Sequence, residues 1–184
     1  FICCKFLFLL YTLAGKKVSG RFSVIFYHEV ISEHRDRFIR QLKDIKRFTV
    51  SVAADFNGPV NNGIYYSAVT FDDGFQSVLH NAVPELTQLN IPISIFIPTD
   101  YYGKNPGWPS DILHSNLTET VMTQKQMVSL VSSNKLITIG SHTHTHPYLT
   151  ELDNQQIVYE LTESKKLPEA FISGSLSVFS ELVS

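Results

Sequence analysis

Residues 65–75, Tyr-Tyr-Ser-Ala-Val-Thr-Phe-Asp-Asp-Gly-Phe, decide how the chain is organised. Aromatic and β-branched residues crowd Tyr65–Phe71, as in a buried strand, and the run breaks abruptly at Asp72-Asp73-Gly74. Glycine at 74 permits a sharp exit that turns both carboxylates toward one pocket. Like charges this close repel, and a nearby cation relieves the cost. A metal would take one carboxylate as a ligand and leave the other as a base. The simpler alternative is a helix N-cap followed by an acid in the first turn. On these residues alone both readings stand.

Upstream, Phe22–Tyr27 reads as another buried strand, ending in Tyr27-His28-Glu29-Val30. In Asp36–Phe48, Phe38, Leu42 and Ile45 recur at helical spacing among basic residues, which predicts an amphipathic helix over a core. Phe48–Val52 is a short strand candidate, and Asn57–Gly63 has the Gly-Pro and Asn-Gly chemistry of a loop. His28 at a strand end is either satisfied by backbone or part of a pocket.

Downstream, Val78, Ala82, Leu86 and Leu89 share a helical stripe, but Pro84 forbids an unbroken ladder, so a first turn and a restart near Pro84 are expected. Pro92–Ile97 is a strand. Residues 98–116 form a long loop whose Tyr101, Tyr102 and Trp108 either stack on a ligand ring or anchor the loop. Thr123 and Gln126 fit a capping box before a helix carrying Met127, Leu130 and Val131. Leu136–Ile139 is the next strand, and Asp153 caps a last helix whose Ile157, Leu161 and Leu167 face inward until Pro168 stops it. Such alternation predicts an α/β fold with a parallel sheet, open or closed into a barrel, and functional groups at the carboxyl ends of the strands.

Composition removes other classes. With 184 residues, 43% hydrophobic and 17% charged, the chain fits one globular domain with a sizeable core. A formal charge of −2 provides no broad basic field, so nucleic acid is not an expected partner. Cys3 and Cys4 are adjacent, which gives neither a disulfide framework nor thiolate-metal spacing. Residues 1–20 are apolar but interrupted by Lys5, and no stable membrane span is expected of them; they read as a clipped secretory signal, a docked segment or out-of-frame sequence.

The second chemical feature is Ser141-His142-Thr143-His144-Thr145-His146-Pro147, in which three of the chain's seven histidines fall within five residues after a strand. A turn would bring His142 and His146 together, and two imidazoles with one carboxylate leave positions open for water and substrate. Extended, the segment would instead place His142, His144 and His146 on one face, as in a His-x-His metallohydrolase.

Taken together, Thr70–Gly74 and His142–His146 resemble the two leading motifs of the polysaccharide deacetylases, the NodB homology domain of carbohydrate esterase family 4. The resemblance extends over roughly Ser67 to Leu167, and Tyr27-His28-Glu29-Val30 is similar to a strand of the branch acting on poly-N-acetylglucosamine. It implies an incomplete, distorted (β/α) barrel domain over 21–184, with about five strands supplied by this sequence. It also implies that Asp73, His142 and His146 bind a divalent metal, zinc first, with cobalt or nickel as alternatives. Asp72 is then the general base that deprotonates a water activated by the metal. Gly74 and Thr143 support the motifs, while His28, His144 and Trp108 line the pocket.

The implied substrate is an N-acetylated polysaccharide or oligosaccharide, and the implied location is extracytoplasmic, in the cell envelope or secreted. The family's later motifs, including a Leu-x-His, do not follow His146, although Val178-Phe179-Ser180 resembles the opening of the strand that carries the next one. A C-terminally truncated domain is therefore expected. The alternative function is a catalytically impaired metal- or carbohydrate-binding remnant.

Overall fold

The computed structural model describes residues 19–106 and 119–166. Trp108, Leu167, Pro168, Val178–Ser180 and residues 1–18 lie outside them. The strands are β1 (Arg21–Tyr27), β2 (Val50–Ser51), β3 (Tyr65–Phe71), β4 (Ile93–Ile97) and β5 (Ile137–Ser141), interleaved with helices α1 (Arg35–Phe48), α2 (Val83–Gln88), α3 (Gln124–Ser133) and α4 (Asn154–Ser164). Every strand pair is parallel, in the order β1-β3-β4-β5, with β2 alongside the start of β3. Among the described residues this five-stranded sheet is open, not closed into a barrel. The elements follow the sequence reading in order and type, with β5 running two residues further, to Ser141, but β1, expected to be buried, is an edge of the described sheet with Phe22, Val24 and Phe26 exposed.

Strand pleating gives the two sheet faces different jobs. The registered rows Ile25-Val69-Ile93-Ile137 and Tyr27-Phe71-Ile95-Ile139 belong to the core or pack against it. Phe38, Leu42 and Ile45 of α1 are buried in that same core. Between these rows, on the opposite face, runs Phe26-Thr70-Ser94-Thr138, in which the Ser94 and Thr138 hydroxyls hydrogen-bond at 2.8 Å.

Pro84 has the predicted effect. The chain forms a π-helical stretch at Val78–Ala82 and then restarts as α2, with the proline in its first turn. A proline lacks the N–H that would bond back along the helix, and a widened turn accommodates both that loss and the ring. The predicted capping box forms at Thr123/Gln126, and the expected Asp153 cap turns out to be a second box, closed by Gln156. Tyr101 and Tyr102 pack against the core, which fits the anchoring alternative.

Candidate metal centre

The first half of the site is the exit from β3. The Asp72 N–H donates to Tyr27 O at 2.9 Å, extending the pairing with β1 by one residue, and the Gly74 N–H then donates to Asp72 O at 2.8 Å. Asp73 and Gly74 both adopt left-handed backbone, φ 66° and 65°. Aspartate tolerates that region and glycine occupies it freely. Gly74 is also confined, because a Cβ there would lie 3.2 Å from Ile97 Cγ1 and 3.3 Å from Met127 Cε. The turn leaves Asp72 wholly buried and Asp73 nearly so, at 5% exposure. Neither carboxylate oxygen of Asp72 has a hydrogen-bond partner.

The second half follows β5. The His142 N–H donates to Ile97 O at 3.0 Å, so this loop begins in register with the end of β4. Thr143 and His146 are left-handed, φ 64° and 57°, which is costly for a β-branched threonine. The Thr143 hydroxyl stitches the turn: it donates to His142 O at 2.6 Å and accepts from the His146 N–H at 3.1 Å. The loop at the end of β4 adds bonds from the Thr99 N–H to Thr143 O and from the Asp100 N–H to His144 O.

These two turns bring Asp73, His142 and His146 together, with one ligating atom from each lying within 4.8 Å of the others. Asp73 Oδ1 is 3.3 Å from His146 Nε2 and 3.7 Å from His142 Nε2. Atoms that share an ion through bonds of ~2.0–2.2 Å sit at about such separations, so the donor set fits a divalent cation of the zinc type. His144 stands apart from this group. Its Nδ1 hydrogen-bonds Thr99 Oγ1 at 2.9 Å and its ring meets Tyr159 edge-on. The extended His-x-His arrangement is therefore not the one adopted. His28 lies close enough for its charge to act on both Asp73 and His142.

Electrostatics separate the two carboxyls. Burial, reinforced by the charge of Asp73 and opposed by His146, pushes Asp72 up to about 7. Burial also acts to raise Asp73, but the hydrogen bond and charge of His146, with His142 and His28 behind it, hold it below the usual carboxylate range. Burial and the neighbouring His146 drive His142 down to about 4, against the pull of Asp73, which keeps its imidazole neutral. An ionised carboxylate and a neutral imidazole are the forms that ligate a metal.

One residue at this site escaped the sequence reading. Glu160, in the middle of α4, is 5% exposed and bonds the loop between His142 and His146. The available signal was a charged residue on the inward stripe shared by Ile157, Leu161 and Ser164.

Carboxylate and imidazole donors at the carboxyl ends of parallel strands define a class of site, a divalent-cation centre where α/β folds carry their functional groups. A family model described as polysaccharide deacetylase matches residues 61–179. The chain belongs to the polysaccharide deacetylase family, hydrolases acting on N-acetyl amide bonds. It is similar to IcaB from Ammonifex degensii, with a TM-score of 0.63 and 20% identity over 87% of this chain and 72% of that one. The deacetylase PplD of Streptococcus pyogenes, solved with acetate, gives 0.61 and 17% over 85% and 71%. A polysaccharide deacetylase described as putative, BA0330 from Bacillus anthracis, gives 0.64 and 22% over 85% of this chain and 49% of its own, so the chain spans about half of that protein. These likenesses speak for the fold. No curated protein matches the chain.

Proposed function

We propose that this chain removes acetyl groups from an N-acetylhexosamine polysaccharide, with Asp73, His142 and His146 holding zinc, or cobalt or nickel in its place, and Asp72 acting as general base. The observation that carries the reading is the contrast between adjacent carboxylates. Asp73 faces two imidazoles, whereas Asp72 is buried with both oxygens unbonded, an acceptor held in reserve beside the donor group. When bound, the cation supplies Lewis acidity to the water and to the amide carbonyl. Asp72 accepts the proton of the water that adds to the carbonyl carbon. The C–N bond then breaks as the proton taken up by Asp72 passes to the leaving nitrogen, which restores the carboxylate, and one water is consumed as acetate and a free amine are released.

Thr143 keeps the histidine turn closed, and His28 tunes the charge of the pocket. The deacetylase domain opens at residue 21, where β1 begins. A polymeric envelope substrate places the work outside the cytoplasm, at the envelope or secreted. Among the described residues no helix is long and apolar enough to cross a membrane.

Metal content by mass spectrometry, with acetate release from N-acetylglucosamine oligomers in the same samples, tests the proposal. Wild type is expected to hold about one equivalent of metal, as a single three-ligand site does, and to release acetate. Asp73→Ala and His142→Ala are expected to lose both, while His144→Ala keeps its metal. A folded wild type that binds none overturns the site assignment. Metal without acetate release leaves a binding remnant instead of an enzyme.

A further inference from the structure

We infer that Glu160 is a positioning residue for the metal site, a buried carboxylate that clamps the backbone between the two histidine ligands. The inference rests on the proposed Asp73-His142-His146 site. Glu160 Oε2 accepts from the His144 N–H and the Thr145 N–H, both at 2.8 Å, and Oε1 accepts from the Thr145 hydroxyl at 2.6 Å. A charge at 5% exposure is costly unless it is bonded. Here three donors converge on it, and all three come from the loop between His142 and His146. Such charge-assisted bonds are shorter and stronger than neutral ones.

The loop needs outside support because of its own backbone. Thr143 and His146 both sit in the left-handed region, and non-glycine residues persist there only when their surroundings over-determine the conformation. The Thr143 hydroxyl closes the turn from within. Glu160 closes it from α4, while Thr99 and Asp100 hold it from the end of β4. The imidazoles at 142 and 146 branch from the two ends of this clamped segment, so their separation depends on it. Its bonds run to the His144 and Thr145 N–H groups and to the Thr145 hydroxyl, so Glu160 acts through the loop that carries the imidazoles.

The test is the zinc dissociation constant of the full chain by chelator competition, with the fold of each metal-free variant checked by circular dichroism. Glu160→Met keeps length and helix preference but removes every acceptor. It is expected to weaken zinc about 10–100-fold, the usual cost of losing a group that orients a metal ligand. Glu160→Gln retains an oxygen for the two N–H groups and places its amide against the Thr145 hydroxyl, so it is expected to restore affinity to within about threefold.

A folded Glu160→Met that binds zinc as wild type does overturns the clamp. If that variant does not fold, Thr145→Val decides: it removes one of the three bonds, a several-fold loss is expected, and unchanged affinity overturns the proposal. His146→Ala, measured in parallel, separates the two levels. If it too binds zinc like wild type, the metal site is wrong and the clamp falls with it. If it loses zinc while Glu160→Met does not, only the clamp fails.

Discussion

The two turns that build the candidate metal centre reach the same end by different routes. The Asp72-Asp73-Gly74 turn is written into three consecutive residues: an acid that tolerates left-handed backbone, a glycine that prefers it, and a hydrogen bond that spans only those residues. The His142–His146 turn asks a threonine and a histidine to take the same conformation, and it depends on Thr99, Asp100 and Glu160 from other elements. A locally encoded turn delivers the two carboxylates, and a tertiary one delivers the two imidazoles. Under the proposed roles, damage to the backbone of the first should register mainly as lost stability and damage to the second as lost metal affinity, while the two side chains of the first divide, Asp72 carrying chemistry and Asp73 metal.

The largest effect follows from striking the chemistry alone. Asp72→Asn leaves the three donors in place, so metal content is expected to stay near wild type while acetate release falls about 10²–10⁴-fold, the usual share of a general base. Equal loss of metal and rate would make Asp72 a ligand instead.

The same substitution has a stability signature in protein stripped of metal with chelator. The folded state holds Asp72 near 7, whereas an unfolded chain titrates it near ~3.9. Between those values the folded state binds the extra proton, so this group's contribution to stability falls as pH rises from about 4 to 7. His142, held near 4 when folded and near ~6.5 when unfolded, contributes in the opposite sense over much of that window, and the wild-type curve is flattened. Asp72→Asn removes one side of this balance. Its stability relative to wild type is expected to climb from near zero at about pH 4 to roughly 2–4 kcal/mol at about pH 8, measured by denaturant melts at each pH. A difference independent of pH would show that Asp72 does not carry the burial cost.

What could be read from the sequence divides along the same line as the two turns. Most strand limits, the break at Pro84, the Thr123/Gln126 capping box, the Asp153 cap and the Asp-Asp-Gly exit were legible because each is set by residues close together in the chain. The conformation of the histidine segment was not, and turn and extended alternatives stayed open. The groups that choose between them, Glu160 on α4 and Thr99 after β4, are linked to it only in three dimensions. Position 160 falls between Tyr159 and Leu161 and looks like an ordinary helix acid until its place on the inward stripe is weighed. His28 was offered by the sequence as either backbone-satisfied or part of a pocket, and what brings its charge to bear on Asp73 and His142 is the pairing of β1 beside β3.

Two smaller substitutions sharpen the comparison by weakening each turn's support without touching a donor. Gly74→Ala forces a Cβ into left-handed backbone, at about 1–2 kcal/mol, and against the tips of Ile97 and Met127. A stability loss of about 1–3 kcal/mol is expected, seen as a melting temperature lower by roughly 2–10 °C.

Asp153→Ala acts at a distance from the second turn. The Asp153 side chain accepts from the Gln156 N–H at 2.8 Å, and the Gln156 side chain returns a bond to the Asp153 N–H. Losing that cap costs about 1 kcal/mol and loosens the first turn of α4. Glu160 lies two turns into the helix, so the effect on zinc affinity is expected to be no more than a few-fold, well below that of removing the carboxylate itself. Chelator competition on the two variants checks the ordering. A drop in affinity for Asp153→Ala as large as for Glu160→Met would mean that the loop depends on the whole helix being docked, not on the one carboxylate that reaches it.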